Sequence, residues 1–300
     1  MLHSGGLKPA RRRGCSNAGM ELRTTSPIFL SHGSPMTALE PREAGAFMQR
    51  LGPAIDAAFG RPRAVVAVSA HTLARAPVLL AAPRHEAVYD FGGFAEALYT
   101  LRYDAPGAPT WAGEVLALLR ASGIDAHRVE QGGLDHGIWT PLRYLWPQAD
   151  VPVLPLAFVP TWSPRQLFEF GAALAPLVAR GVLVMGSGSI THNLQRVFAG
   201  GLRDVERAAT PESTAFRDWF RQRGEAAEWD TLFDYRRQAP HAVLMHPSDE
   251  HLLPFYVAAG AAGKQPALRL HASVTHGDLG MDAYAFGAQA EALRQALAAR

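Results

Sequence analysis

The sequence holds a single cysteine, Cys15, among 300 residues. One thiol excludes a disulfide framework and any zinc site built on cysteine pairs. Nowhere is there a run of the ~18 apolar residues that a membrane-spanning helix needs. The start of the chain has no apolar stretch of the secretory kind, and the expected location is the cytoplasm. Net charge is small as well, with 29 Lys and Arg against 27 Asp and Glu, or +2 overall. Without a basic excess to neutralise phosphates, nucleic acid is not an expected partner. Internal repeats and low-complexity blocks are missing after the first 20 residues. With 48% hydrophobic residues there is ample material for a core.

The little charge there is lies unevenly. Residues 1–20 contain Lys8, Arg11, Arg12 and Arg13 and no acid, leaving 25 basic and 27 acidic side chains for the other 280 residues. This arm also carries Gly5, Gly6, Gly14 and Gly19, with no apolar periodicity. It is expected to be disordered, or to precede a true start at Met20. Residues 21–300 are expected to form one domain, because nothing after Glu21 reads as a linker.

From Glu21 onward short apolar runs alternate with amphipathic segments, the pattern of an α/β fold. Pro27 to Leu30, Ala64 to Ser69 and Val182 to Met185 read as buried strands, and Ala267 to Val274 as the last one. Val151 to Val159 is apolar but holds Pro152 and Pro155, which donate nothing to a ladder; the expectation is a strand near an edge or a bulge. Ser163, Pro164 and Gln166 make a capping box ahead of a helix that buries Leu167, Phe170, Leu174, Leu177 and Val178. Thr110 to Leu119, Ser213 to Arg223 and Met281 to Ala299 also read as helices. So does Leu252 to Ala259, with Ser248 as its N-cap and Asp249 and Glu250 favouring the positive end of its dipole.

What the sequence does have is 12 histidines. Three apolar runs end alike, in small residues and then a histidine: IFLSHGSP with His32, VVAVSAHT with His71, and VLVMGSGSITHN with His192. In open α/β sheets ligands bind beyond the carboxyl ends of the strands, where small residues let distant side chains converge. Imidazole suits zinc and iron, so such a convergence would make a metal site. Two more segments join them. Gly132 to Gly137 sets His136 beside Asp135, which is placed to orient the ring, and HPSDEH offers Glu250 or His251 as a ligand at the start of a helix.

The strings SHGSPM, SAHT, LDHGIWTPL, GSGSITHNL and HPSDEHLLP, in this order, resemble the DODA-type extradiol aromatic ring-opening dioxygenases of the class III, LigB-like superfamily. The resemblance spans about residues 26 to 287. It implies a three-layer α/β/α domain around a central mixed sheet and one divalent metal per chain, Fe(II) when active and often Zn(II) as found. It implies a catechol-type substrate opened by O₂ to a semialdehyde acid. The first ligands fall on His32 and His71. His192 falls close to the metal as ligand or acid–base group, and His136 is placed to contact the substrate hydroxyls or the oxygen. The last ligand falls on His251, with Glu250 as the alternative. His276 follows a strand but receives no role. Phe91, Tyr89, Trp139, Trp162 and Tyr256 are candidates for an aromatic wall, and Arg102 or Arg143 for pairing with a substrate carboxylate. The oligomeric state is left open.

A redox metal is what this chemistry requires, because attack of O₂ on a closed-shell ring is spin-forbidden. Two rival readings use the same residues differently: a zinc hydrolase that activates water, and a non-catalytic interaction protein on the same fold. Truncation tests the arm. A chain beginning at Met20 is expected to keep the melting temperature and metal content of the full chain, since residues 1–20 have nothing periodic to pack. A drop of several degrees would show that the arm docks.

Overall fold

The computed structural model describes Met1 and residues 24–300. Met1 apart, the arm over residues 1–20 lies outside the described residues. Eight strands form the central sheet: β1 (Ile28–Ser31), β2 (Ala64–Ser69), β3 (Val78–Leu80), β4 (His127–Val129), β5 (Val153–Ala157), β6 (Val182–Gly188), β7 (Ala267–His271) and β8 (Ala283–Phe286). They lie in the order β4-β3-β5-β2-β6-β1-β8-β7. The middle strands β5, β2, β6 and β1 run parallel. Strand β8 is antiparallel to β1 and β7, and β3 is antiparallel to β5, so the sheet is mixed.

Side-chain alternation splits the core into two halves, because successive residues of a strand face opposite sides. On one side Ile28, Leu30, Val65 and Ala67 pack with α1 (Arg42–Phe59), α3 (His136–Leu145) and α7 (Ala290–Ala298). On the other, Phe29, Ala64, Val66 and Val68 pack with α2 (Pro109–Ala121), α4 (Pro164–Ala172), α5 (Pro211–Glu225) and α6 (Leu253–Ala261). The result is the three-layer α/β/α arrangement. The capping box that opens α4 is present, with Ser163 and Gln166 bonding reciprocally, but α4 ends at Ala172, and Leu177 and Val178 fall in a separate short helix, Ala175–Val178. Among the described residues no helix is long and apolar enough to cross a membrane.

Three local expectations fail, each for a physical reason. Strand β5 is not at an edge: it lies between β3 and β2. Its antiparallel pairing to β3 involves only Leu156 and Ala157, and Pro152 precedes the strand and offers its carbonyl to the Val65 N–H. Neither proline therefore falls in the antiparallel ladder. The segment from Met281 is not helical until Ala290. Ala283 to Phe286 alternates small and aromatic residues, period two, and forms β8, whose Tyr284 and Phe286 enter one core and Ala283 and Ala285 the other. Gly287, at φ +86°, then turns the chain towards α7. Ala267 to Val274 is accordingly not the last strand, and β7 ends at His271. Finally, Ser248 does not cap α6. Leu252 takes that position without a side-chain bond, while Ser248 Oγ donates to Glu250 Oε1 at 3.2 Å.

Helices α4 and α6 touch backbone to backbone. A Cβ on Gly171 would lie 2.0 Å from the Val257 carbonyl oxygen, and one on Gly260 would lie 1.9 Å from that of Phe168. Both contacts are with main chain, which cannot swing aside. Gly171→Ala and Gly260→Ala are each expected to destabilise the fold by roughly 1–3 kcal/mol through overpacking, read from the urea unfolding midpoint. An unchanged midpoint would mean that the helices separate without cost.

Candidate metal centre

The carboxyl ends of β1, β2 and β6 are neighbours in the sheet, and the histidines that follow them meet there. Register makes this specific: Ser187 of β6 lies beside Leu30 of β1 and Ser69 of β2. Beyond these positions the His32 N–H bonds to the Gly188 carbonyl at 3.1 Å, and the Ser189 N–H to the His251 carbonyl at 2.8 Å. The turn that carries His251 is thus pinned to the end of β6, and that of His32 to the same strand. Nε2 of His32 and Nε2 of His71 face each other at 3.2 Å. His251 completes a group of three whose donor atoms all lie within 4.8 Å of one another.

Hydrogen bonds fix which nitrogen His32 and His251 present, and a carboxylate faces the outer nitrogen of His71. Ser187 Oγ donates to the Gly137 carbonyl, so it accepts from Nδ1 of His32 at 3.0 Å. Nδ1 of His251 bonds to Glu250 Oε1 at 2.9 Å, and Nδ1 of His71 lies 3.6 Å from Asp90 Oδ2. With each Nδ1 turned outward to an oxygen, the Nε2 lone pairs are left for the centre, the usual support of metal-bound histidine. Two ligands held at ~2.0–2.1 Å from a tetrahedral ion stand ~3.4 Å apart. The spacing of 3.2 Å between the His32 and His71 nitrogens and the neutral nitrogen donors fit a divalent metal ion.

Burial keeps His32, His71 and His192 neutral. Desolvation, and then the neighbouring His71, His136 and His251, hold His32 well below the ordinary imidazole range. The same two causes, with His136 and His251 as neighbours, lower His71 to about 3. His192 is lowered to about 2 by burial, then by His251 and His246. Glu250 is held near 2, first by the hydrogen bond from His251, against the opposing effect of its partial burial.

The remaining candidates divide. His136, at the start of α3, packs its ring 4.1 Å from that of His71 and 5.2 Å from that of His32. His192 is not in the three-histidine group. It stacks flat on His251, 3.5 Å between ring centres and 8° from parallel, and forms a second cluster with Glu250 and His251. Asp135 does not orient the His136 ring. It is buried, accepts from Ser69 Oγ at 2.7 Å and from Thr72, and ties the His71 turn to α3. Burial raises its pKa.

The partner of His136 is Asp90, a residue that sequence reasoning passed over. Its oxygens lie 3.0 and 2.9 Å from Nδ1 of His136, and Oδ1 accepts the His136 backbone N–H at 2.9 Å. The only signal available was an acid set between Tyr89 and Phe91, just before Gly92-Gly93. Those aromatics do form a wall. Phe91 stands 5.6 Å from His136, with Tyr89, Phe94, Tyr99 and Trp139 around it. Trp162 and Tyr256 lie elsewhere, packed on Phe170 and on Phe255 in the opposite half of the core. Arg143 bonds to the Ala38 carbonyl, and Arg102 pairs with Asp104 at the surface.

Residues 26–287 match the family described as the catalytic LigB subunit of aromatic ring-opening dioxygenase. A 4,5-DOPA dioxygenase extradiol from Beta vulgaris is 33% identical over 271 residues, spanning 89% of this chain and 98% of that protein. One from Escherichia coli (strain K12) is 33% identical over 243 residues, 80% of this chain and 86% of that protein. Among solved structures, the crystal structure of an uncharacterized protein from Escherichia coli K12 superposes with a TM-score of 0.66 at 26% identity. That likeness covers 88% of this chain and 100% of the other.

The depressed histidine pKa values carry a pH dependence. Each group is lower in the folded state than its unfolded value near 6.5, so the unfolded chain binds more protons below that value. The stability these rings permit is complete above about pH 6.5 and is lost as pH falls towards 3. At pH 5 each deeply shifted ring, such as His71, costs about 2 kcal/mol relative to neutral pH. The metal-free chain is therefore expected to melt several degrees lower at pH 5 than at pH 7, with His71→Gln reducing the difference. A flat melting temperature over that range would show that the rings are not held neutral.

Proposed function

This chain belongs to the LigB family of aromatic ring-opening dioxygenases, and we propose that it is a metal-dependent extradiol dioxygenase that opens a catechol-type ring with O₂ to a semialdehyde acid. The observation that carries the reading is the pair of Nε2 atoms of His32 and His71 facing at 3.2 Å, with His251 beside them. The names of the curated relatives, 4,5-DOPA dioxygenase extradiol, support an extradiol cleavage. Residues 21–300 act as one catalytic domain in the cytoplasm, on a small aromatic substrate rather than on nucleic acid or a membrane.

In this reading His32, His71 and His251 hold the ion through Nε2. Bound there, Fe(II) supplies the electron exchange with O₂ that a closed-shell ring cannot undertake alone, whereas Zn(II) fits the same donors without it. The protein's own part is placement and proton transfer. His136, next to His71 and His32, takes the proton of a substrate hydroxyl at Nε2. His192, stacked on His251, is the second acid–base group. Phe91 and the rings around it flank His136 and exclude water from the substrate's edge. Glu250 orients His251 rather than binding the ion.

Anaerobic loading with Fe(II) or Zn(II), followed by catechol and air, tests the reading. Oxygen uptake with a new semialdehyde absorbance is expected for Fe(II) alone. Ester or amide hydrolysis by the Zn(II) form, without oxygen uptake by either, would make the chain a hydrolase. The ligand assignment has its own test. His251→Ala is expected to abolish stoichiometric metal binding and ring cleavage, while Glu250→Gln keeps metal near one per chain with a modest kinetic change. Loss of metal in Glu250→Gln with retention in His251→Ala, measured by elemental analysis, would reverse the two roles.

A further inference from the structure

A neutral imidazole has one N–H and one lone pair, and its surroundings decide which nitrogen carries which. At His136 the surroundings are one carboxylate. Asp90 grips both Nδ1 and the backbone N–H of that residue, at 2.9–3.0 Å. An ionised carboxylate only accepts hydrogen bonds, so the ring proton must sit on Nδ1 and the lone pair on Nε2. The same group lies 3.6 Å from Nδ1 of His71, so one carboxylate faces the outer nitrogens of two neighbouring rings. His192 has no such partner: among the described residues its ring makes no side-chain hydrogen bond, and its face is taken by His251.

We infer that Asp90 is a positioning residue that sets the tautomer and angle of His136, leaving Nε2 of His136 as the proton acceptor for the substrate hydroxyl. This rests on the dioxygenase reading for the identity of the substrate, but not for the tautomer. The competing explanation is plain helix capping. Asp90 does satisfy the first N–H of α3, and a cap of that kind contributes ~1 kcal/mol. Capping alone predicts a stability change and nothing at the ring.

The test uses the full chain labelled with ¹⁵N-histidine and loaded with Zn(II), so that no turnover is needed. His136 resonances are assigned by their loss in His136→Gln. The wild type is expected to carry the ring proton on Nδ1, and Asp90→Ala and Asp90→Asn to show both tautomers or Nε2–H. Asn retains an oxygen for the helix N–H, so Asp90→Asn keeps the melting temperature and separates the ring effect from the cap. With Fe(II), both variants are expected to lose about 10–100-fold in kcat, the usual scale for a group behind a metal site, with KM within about threefold. A wild-type ring protonated at Nε2, or unchanged tautomer and kcat in both variants, overturns the inference. A wild type that shows Nδ1–H, loses it in the variants and yet cleaves no catechol sinks the dioxygenase reading while the positioning role stands.

Discussion

Everything at this site depends on the register of three parallel strands. With Ser187 of β6 level with Leu30 of β1 and Ser69 of β2, two histidine-bearing turns leave the sheet on either side of a serine that bonds one of the rings. A slip of one residue would turn Ser187 to the other face and move His32 to the wrong side of the sheet, because the side-chain period of a strand is two. Apolar burial on both faces forbids the slip. Val66 and Leu30 belong to opposite cores, and exchanging them would set large side chains into space shaped for small ones. The packing of the domain is thus what holds these nitrogen atoms together.

Bringing five imidazoles together out of water would be costly if they were charged. The structure avoids this by burying His32, His71 and His192 as neutral rings and by pairing two outer nitrogens with carboxylates, Asp90 and Glu250, and one with a serine. These oxygens lie behind the rings rather than between them. The centre is left with lone pairs and no net charge of its own, an environment that rewards a divalent cation and needs no proton release to receive it.

Much of this was legible in the sequence, and the limits have physical causes. His32, His71 and His192 announce themselves because a buried β-branched run followed by small residues is a local pattern, and local patterns survive in one dimension. Strand β5 and strand β8 were misjudged because their places depend on partners. Whether a proline disturbs a ladder is settled by how far the neighbouring strand extends, and Ala283 to Phe286 becomes a strand only beside β1 and β7. The separation of His192 from the three-histidine group was hidden for the same reason: its context matches that of His32 and His71, but the extra residues after β6 carry it onto the ring of His251. Asp90 had no pattern at all. It lies in an irregular segment 46 positions from the ring it holds, and only the fold of that segment over α3 gives the carboxylate a task.

That distance in sequence has a consequence for how the site is held. His32, His71 and His251 are tied to the sheet by main-chain hydrogen bonds or by short turns at strand ends, so their positions are inherited from the core. Asp90 belongs to a segment with Gly92 and Gly93, around whose Cβ positions there is open space, and with Phe94 and Tyr99 partly exposed. Side-chain contacts rather than strand pairing hold this segment: Tyr89 donates to the Leu101 carbonyl at 2.6 Å and Trp139 to the Val88 carbonyl at 3.0 Å. The bonds from Asp90 to the start of α3, and the packing of Phe91 on His136, join it to the site. The placement of the three-histidine group is thereby inherited from the sheet, and the orientation of His136 from a segment outside it.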